Sequence, residues 1–274
     1  MPEGPEVAHI TRRLNKKFAG TQLTDITFTD SRYRETQVRN DIDDFMAELP
    51  LTIQSVKCKG KFIYFELEND WTIWHTLGMS GSWRASEKSA NYKNAHRLTF
   101  HSTGGDYFYR DPRKFGTFKF MRDPQALQDK LHKLLGPDML AEDVSDTDFI
   151  TAVRRKKHWN VTRAIMDQKV IAGIGNYIKA EALYYAKINP WKKIEQLTED
   201  QLKSLNYYLK WVIRAAYEAK GATIRDYVLP DGTTGDYKFQ FAVYSKRQCP
   251  DGHPVKHEET PDRRTTWWVP QIQS

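Results

Sequence analysis

The sequence predicts an α+β protein whose first half is rich in strands and whose second half is helical. Between about residues 22 and 120, short β-branched and aromatic runs alternate with Gly, Asp, Asn and Ser, which is typical of strands and turns. From about residue 145, apolar residues recur at helical spacing behind capping residues. With 274 residues, the chain is long enough for two domains with separate cores.

A helix is expected first, over residues 5–18, with one apolar face formed by Val7, Ile10, Leu14 and Phe18. The clearest strands that follow are residues 62–67, 71–75, 96–100 and 107–109. Several short strands separated by turns indicate a β-sandwich. We therefore expect residues 1–123 to form a β-sandwich domain with a flanking helix.

Residues 124–144 are charged, mixed and interrupted by Gly136-Pro137, and they are predicted to connect two domains. Helices are then expected over residues 145–156, 161–169 and 176–187, the first capped by Ser145 with Asp148.

The strongest helix signal in the chain is a capping box of Thr198 and Gln201, with Gly221 as the natural C-cap. Residues 221–240 are rich in Gly, Thr and Asp and predict a long loop. Two strands, residues 239–244 and 265–269, are expected after it. The second domain is thus predicted over residues 145–240, with a β-structured segment at 241–274.

The positive charge is unevenly distributed. The chain carries a net charge of +7, yet residues 151–274 hold 21 basic and 13 acidic side chains, against 21 and 22 in residues 1–150. A basic half with interleaved Trp and Tyr favours a polyanionic partner, most simply nucleic acid. No signal peptide or membrane span is indicated, and two cysteines fit a reducing, intracellular compartment rather than a secreted disulfide framework.

Pro2 follows the initiator methionine directly and would become the N-terminus after its removal. A secondary amine with a pKa of roughly 7.7–8 is partly a free base at neutral pH, so it can attack an electrophilic carbon and form a Schiff base. Glu3 and Glu6 supply carboxylates beside it. The alternative is structural, because proline in a first turn followed by acids also describes an ordinary helix start.

Five motifs occur in order along the chain. They are Pro2-Glu-Gly-Pro-Glu6, Lys59-Gly-Lys61, His75-Thr-Leu-Gly-Met-Ser-Gly-Ser82, Asp111-Pro-Arg-Lys-Phe-Gly116 and Gly173-Ile-Gly-Asn-Tyr-Ile-Lys-Ala-Glu181. With these motifs the sequence resembles the formamidopyrimidine-DNA glycosylase / endonuclease VIII (Fpg/Nei) family over nearly its whole length. The resemblance implies that the helical domain is a helix–two-turn–helix DNA-binding module and that residues 221–240 form a loop on the lesion side.

The chain departs from the family at its C-terminus, where many members carry a zinc finger with four cysteines. Cys249 matches the first ligand, but Gly252, Val269 and Ile272 stand at the other three positions. Four tetrahedral ligands are not available. Residues 241–274 therefore resemble the zincless-finger β-hairpin of some viral and eukaryotic Nei-like members, and we expect neither metal nor cofactor.

The resemblance implies a bifunctional DNA glycosylase and apurinic/apyrimidinic (AP) lyase of base excision repair. It would remove oxidised pyrimidines and formamidopyrimidines by Schiff-base chemistry at Pro2 and cut the strand by β,δ-elimination. Glu3 is implied as general acid, and Lys61 is counted among the catalytic residues because it would hold a phosphate beside the lesion. For Glu6 a supporting role and simple helix capping remain open.

The DNA-binding residues implied are Lys61, Asn176 and Arg264 at phosphates and Met79, Arg113 and Phe115 in the gap left by a flipped base. Structural alternatives remain: a solvated surface position for Lys61 and Arg264, helix capping for Asn176, and core packing for Met79 and Phe115. Cys249, Trp267 and Trp268 are interpreted as structural.

Double-stranded DNA with oxidised bases or abasic sites is the expected partner of a monomer that acts where the DNA is, without a membrane. Two alternatives stay open. One is a catalytically inactive relative that only binds damaged DNA. The other is a mainly 8-oxoguanine-directed Fpg-type glycosylase, which the Met79, Arg113 and Phe115 set favours.

Overall fold

The computed structural model describes residues 2–35, 41–91, 94–221 and 241–274, which divide into two compact units. Unit 1 is built from Glu6–Leu131 together with, among the described residues, Pro2 and residues 220–221. Unit 2 holds Glu3–Pro5, His132–Ala219 and, among the described residues, 241–274. The division of the chain into segments 1–123, 124–144, 145–240 and 241–274 stays a prediction.

Unit 1 combines an N-terminal helix with eight strands and several short helices. In chain order its elements are α1 (Gly4–Phe18), β1 (Gln22–Phe28), α2 (Arg32–Glu35), α3 (Ile42–Glu48), β2 (Leu51–Lys59), β3 (Phe62–Leu67), β4 (Thr72–Thr76), β5 (Ser82–Arg84), α4 (Glu87–Ala90), β6 (His96–Ser102), β7 (Tyr107–Arg110), β8 (Thr117–Met121) and α5 (Pro124–Asp129).

The eight strands form one antiparallel sheet that folds over on itself. Their order is β5-β7-β6-β1-β2-β3-β4-β8, and the two halves are joined only by the short pairing of Gln22–Leu23 with Leu51–Thr52. Trp83 and Phe118 lie on the two outermost strands of this order, yet their ring centroids are 5.9 Å apart. The halves therefore face each other as two four-stranded layers, and the predicted β-sandwich is confirmed.

The predicted N-terminal helix is confirmed by α1, whose apolar face is buried as its spacing requires. Phe18, the last residue of α1, reaches the aromatic core between the layers, 6.0 Å from the ring centroids of both Phe65 and Phe100. Edge-to-face rings of this kind bury large apolar areas at favourable geometry. The core of unit 1 is thus aromatic and closed at one end by α1.

Unit 2 is helical and ends in a two-stranded hairpin. Its elements are α6 (Asp146–Arg154), α7 (Val161–Met166), α8 (Asn176–Tyr185), α9 (Glu199–Glu218), β9 (Lys256–Thr260) and β10 (Arg264–Trp268). The predicted caps are confirmed, because Ser145 accepts the Asp148 N–H and Thr198 forms a reciprocal capping box with Gln201. No helix among the described residues is long and apolar enough to cross a bilayer.

Several boundaries differ from the prediction. Helix α9 ends at Glu218. The first residue after it with a left-handed backbone is Lys220 (φ 65°), and the predicted C-cap Gly221 follows with a φ of 99°. The predicted strand 239–244 is wrong for residues 241–244, which form bends and a turn, while residues 239–240 and the loop 222–240 lie outside the described residues. The first strand of the hairpin is instead β9, a stretch of charged residues with exposed side chains that lacks the apolar signal of a strand.

His75 is a completely buried imidazole in the aromatic core of unit 1. Its ring stacks on Phe118 at 4.1 Å, its Nδ1 donates to the Thr117 carbonyl at 2.9 Å, and its Nε2 accepts the Trp83 indole N–H at 3.3 Å. Both ring nitrogens are therefore used by the neutral tautomer. Burial lowers the pKa of His75 from 6.5 to about 4.

This depressed pKa makes the stability of unit 1 depend on pH. Between about pH 6.5 and pH 4 the unfolded chain binds a proton at His75 that the folded chain does not, so stability present above pH 6.5 is lost as the pH falls. The loss is on the order of 3 kcal/mol. We expect urea unfolding at pH 5 and pH 7 to show a smaller difference for His75→Gln than for the wild type.

Replacing the exposed His253 by Gln is the matched control for a histidine substitution outside the core. Equal pH slopes for the wild type and His75→Gln would show that His75 is not the titrating group.

Candidate active site

The Glu3 side chain is bound to the N-terminus of α8. Its Oε1 accepts the Tyr177 backbone N–H at 2.9 Å and its Oε2 accepts that of Ile178 at 3.3 Å. First-turn N–H groups of a helix have no partner within the helix, and the helix dipole favours a negative charge there. Glu3 is only 2% exposed, so the buried carboxylate is stabilised by this helix terminus.

Two glycines make the approach of the N-terminal segment possible. The Gly4 N–H donates to the Gly173 carbonyl at 2.9 Å, which brings the two backbones into contact. At Gly175 a Cβ atom would overlap the Glu3 carboxyl group. The φ of Gly175 is −129°, an extended value open to any residue, so the need for glycine is steric.

The remaining residues predicted for catalysis lie beside this contact in sequence or in unit 1. Pro2 is buried and directly precedes Glu3. Glu6 lies in the first turn of α1 and is completely buried, unlike an ordinary solvated capping acid. Lys61 is half-buried in the turn between β2 and β3.

Asn176 is not the N-cap of α8, and that alternative is wrong. Gly175 occupies the cap position and Asn176 is the first helical residue. The Asn176 Nδ2 donates to the Thr265 carbonyl at 2.9 Å, while its buried Oδ1 has no hydrogen-bond partner among the described residues. The side chain thus ties α8 to the hairpin and keeps one acceptor open.

The hairpin carrying Arg264 is held by charged groups of α8. Lys179 and Asp262 form an ion pair at 2.7 Å, with their side chains 0% and 4% exposed. Burial lowers the pKa of Lys179, and the nearby Asp262 carboxylate opposes that shift. Arg264 begins β10 opposite Thr260, and its side chain is exposed next to this buried pair.

A second charged residue of α8 holds the segment that leads toward the hairpin. The Glu181 carboxylate accepts the backbone N–H groups of residues 242, 243 and 244 at 2.8, 3.0 and 2.7 Å. Burial raises the pKa of Glu181, and these three donors counteract the effect. Neither Lys179 nor Glu181 was predicted as important, although two charges on a helix with most of its residues apolar were a usable signal.

Of the three positions that lack a zinc-binding cysteine, Val269 and Ile272 are packed with apolar groups, whereas Gly252 is exposed. Cys249 and Val269 belong to a buried cluster with Tyr184 and Val243, and Ile272 packs against it. Within the described residues, no group of three or more His, Cys, Asp or Glu side chains is placed to bind a metal ion. Trp267 contacts Tyr244 with ring centroids 4.5 Å apart, in line with its predicted structural role.

In unit 1, the buried Asp111 fixes the loop 111–116. Its carboxylate accepts the Tyr33 hydroxyl at 2.9 Å, the Ser80 hydroxyl at 2.5 Å and the Gly116 N–H at 2.7 Å. Ser80 in turn accepts the Arg113 N–H at 3.1 Å. One carboxylate therefore joins the loop 111–116 to the turn 77–81, a role that sequence reasoning missed despite the Asp-Pro motif.

The three residues predicted to fill the gap of a flipped base lie on these two joined loops. The Arg113 guanidinium is 3.9 Å from the Met79 sulfur. Phe115 is 52% exposed, so core packing is wrong for this residue. At Gly78 a Cβ would lie 2.5 Å from the Phe115 carbonyl carbon, so the backbone just before Met79 packs closely against the backbone of Phe115.

The structure thus places Glu3, Asn176 and Arg264 together around α8 and β10 in unit 2. Glu6, Lys61 and the Met79, Arg113 and Phe115 set belong to unit 1.

Three family models cover most of the chain. Residues 1–118 match the formamidopyrimidine-DNA glycosylase N-terminal domain, residues 135–228 the H2TH (helix–two-turn–helix) domain of the same family and residues 230–274 its C-terminal domain.

Curated relatives are similar over nearly their full length. Formamidopyrimidine-DNA glycosylase of Lactococcus lactis subsp. cremoris is 30% identical over 90% of this chain and 89% of its own length. The enzyme of Legionella pneumophila (strain Lens) is 29% identical over 91% and 89%. That of Acinetobacter baylyi is 29% identical over 100% and 98%.

Solved structures of formamidopyrimidine-DNA glycosylases are also similar to this fold. The fold is similar to the Lactococcus lactis enzyme bound non-covalently to DNA containing an AP site, with a TM-score of 0.85, 28% identity and full coverage of both chains. It is also similar to the wild-type Lactococcus lactis enzyme with DNA containing N7-benzyl-Fapy-dG, with a TM-score of 0.87, 29% identity and full coverage. The MutM (Fpg) protein of Thermus thermophilus gives a TM-score of 0.85 at 29% identity, covering 99% of this chain and 98% of its own.

The steric role of Gly175 can be tested by adding a single methyl group at this position. In Gly175→Ala the new Cβ displaces the Glu3 carboxylate and leaves two buried first-turn N–H groups unbonded. We expect the free energy of unfolding to fall by roughly 2 kcal/mol or more. Gly252→Ala is the control, because no atom lies within 4 Å of its Cβ and only its left-handed φ of 81° is strained. A smaller loss for Gly175→Ala than for Gly252→Ala would contradict the steric account.

The buried ion pair predicts an asymmetric mutational response. Lys179→Met leaves the Asp262 carboxylate buried without its partner, and we expect roughly 3 kcal/mol of destabilisation. The double variant Lys179→Met/Asp262→Asn should be more stable than the sum of its single variants predicts. Lys203→Met, on the exposed pair with Glu199, is the matched control and should unfold like the wild type. Strict additivity of Lys179→Met and Asp262→Asn in urea unfolding would show that the pair is uncoupled.

Proposed function

This chain belongs to the formamidopyrimidine-DNA glycosylase family and is a DNA glycosylase of base excision repair, and we propose that it also cuts the strand at AP sites by Schiff-base chemistry at Pro2. The observation that carries the proposal is the Glu3 carboxylate on the N-terminus of α8, because Pro2 is the residue joined to it. A buried acid fixed next to a potential N-terminal amine is the arrangement such chemistry needs.

The proposed reaction begins after removal of Met1. The Pro2 nitrogen attacks C1′ of a flipped nucleotide and its bond to C1′ forms. The glycosidic bond breaks as the base leaves with the bonding electron pair and takes up a proton from water. The nitrogen, now positively charged, gives up its proton to the Glu3 carboxylate. Glu3 returns this proton to the sugar ring oxygen, so the ring opens to a Schiff base and Glu3 acts as the general acid of that step.

The Schiff base acidifies the neighbouring C2′, and loss of its proton expels the 3′ phosphate by β-elimination. A second elimination expels the 5′ phosphate. Glu3 in its ionised form stabilises the cationic intermediate, which the helix dipole alone would disfavour. We assign a supporting role to Glu6, since a carboxylate buried in the first turn of α1 is retained at a cost in solvation.

DNA binding is proposed to use phosphate ligands from each unit. Lys61 supplies one charge in unit 1 and Arg264 another in unit 2. The Oδ1 of Asn176, which has no hydrogen-bond partner in the part of the chain that the structure describes, repels a phosphate oxygen. We therefore propose that its Nδ2 turns from Thr265 to the phosphate when DNA binds. The exposed Phe115, with Met79 and Arg113, is proposed to occupy the gap that the flipped base leaves in the duplex.

The lesion is proposed to be an oxidised pyrimidine or a formamidopyrimidine. The name of the formamidopyrimidine-DNA glycosylase relatives supports a formamidopyrimidine. A mainly 8-oxoguanine-directed enzyme is the second candidate, favoured by the exposed Phe115 on the joined loops. Incision of duplexes carrying thymine glycol, a formamidopyrimidine or 8-oxoguanine, each at several enzyme concentrations, ranks the three. An inactive binder would incise none of them.

Borohydride trapping tests the proposed nucleophile. With duplex DNA containing an abasic site, sodium borohydride should reduce the Schiff base and leave a covalent complex that maps to Pro2 by mass spectrometry. Pro2→Gly retains only a primary amine without the ring that fixes its approach, and we expect trapping and strand cleavage to be severely slowed. Turnover by a preparation that retains Met1, at the rate of the processed protein, would exclude Pro2.

A further inference from the structure

A cavity of about 500 Å³ lies within unit 2 between α7 and the tip of the β9–β10 hairpin. Its walls include Trp159 and Arg163 on one side and Arg263 and Arg264 on the other. This volume is within the range of small-molecule sites and is large enough for one nucleotide unit. Nothing in the proposed reaction uses Trp159, Arg163 or Arg263.

The cavity carries an excess of positive charge. Three guanidinium groups line it, and in the part of the chain that the structure describes none of them pairs with a carboxylate. Of its two carboxylates, Asp262 is already neutralised by the buried Lys179 at 2.7 Å. Asp167 accepts the Lys169 backbone N–H at 2.8 Å. Among the described residues, the three guanidinium groups therefore share the cavity with one carboxylate that is not paired with a lysine, Asp167, so positive charge remains in excess.

One of these cations is held in place by an aromatic ring. The Arg163 guanidinium lies 4.0 Å from the centroid of the half-buried Trp159 ring, and the Lys156 ammonium lies 4.7 Å from it. Stacking on an indole restricts the Arg163 side chain before any ligand binds, which lowers the entropy lost on binding. Met166 and Pro261 add apolar surface to the same cavity.

We propose that this cavity binds one nucleotide unit of the DNA backbone, with the phosphate between Arg163 and Arg263 and the deoxyribose against Met166 and Pro261. Guanidinium forks match phosphate oxygens in pairs, and apolar groups suit the sugar. Arg264 lines the cavity and is also the proposed ligand of a lesion-side phosphate, so it connects the two positions on one strand. This proposal rests on the proposed function, since it assumes that DNA is the partner.

The experiment measures binding of a duplex with a tetrahydrofuran abasic analogue, which cannot be cut, over a salt range of about 50 to 300 mM. Each neutralised phosphate steepens the plot of log K against log salt by about 0.9. Arg163→Gln and Arg263→Gln should each make the slope shallower by about that amount and weaken binding about eightfold at roughly 0.1 M salt. The double variant should lose about two units of slope.

Two control variants separate a phosphate contact from net charge and from misfolding. Arg214→Gln removes the same charge from the exposed side of α9, outside the cavity, and should keep the wild-type slope. Arg163→Lys keeps the charge and should keep the slope while losing part of the affinity. Loss of slope in Arg214→Gln equal to that in Arg163→Gln would overturn the proposal, as would an unchanged slope in Arg163→Gln and Arg263→Gln.

A free nucleotide is the other source of the same chemistry. Titration with deoxyadenosine monophosphate and with inorganic phosphate distinguishes it. Binding of either to the wild type but not to the double variant, with no change in the DNA slope, would overturn the DNA proposal and make the cavity a nucleotide site. Borohydride trapping by the wild type is measured separately, so failure of the proposed function is seen there and failure of the cavity proposal only in the salt slopes.

Discussion

The carboxylate of Glu3 on the first turn of α8 is the contact on which the rest of the candidate site depends. It links Glu3 to Tyr177 and Ile178, which lie 174 and 175 positions further along the chain. It also satisfies two helix N–H groups that have no other partner within the helix. Pro2 is joined to Glu3 by one peptide bond. Along the same helix Lys179 and Glu181 bind the hairpin tip and its leading segment. A single helix therefore holds both the Glu3 carboxylate and the hairpin.

In unit 1 another buried carboxylate, that of Asp111, joins separate segments of the chain in the same way. Asp111 is completely buried and accepts two hydroxyls and one N–H, which joins the loop carrying Phe115 to the turn carrying Met79. A buried charge is costly unless it is fully hydrogen-bonded, and these donors meet that requirement. The hairpin of unit 2 follows the same rule, since the buried Lys179–Asp262 pair compensates its own charges and an apolar cluster packs around Cys249.

Local sequence patterns predicted the helices and strands well. Contacts between residues far apart in the sequence could not be predicted from them. The apolar spacing of α1, the N-caps of α6 and α9 and the aromatic strands each depend on residues within a few positions of each other, and all are confirmed. The strand β9 is charged and exposed and could not be recognised by periodicity. Asn176 resembled a cap because it follows Gly175, but the cap is supplied by Glu3 from the other end of the chain. The charge of Lys179 on a largely apolar helix was a usable signal, but its partner Asp262 lies 83 positions away and could not be assigned from the sequence.

The most direct test of the Glu3 contact is amide hydrogen exchange at Tyr177 and Ile178, resolved by NMR. First-turn amides of an uncapped helix exchange quickly, so strong protection of these two amides in the wild type requires an acceptor outside the helix. We expect that protection to be lost in Glu3→Ala while the amide of Gln201, capped by Thr198, stays protected. Equal protection of Tyr177 and Ile178 in the wild type and in Glu3→Ala would contradict the account.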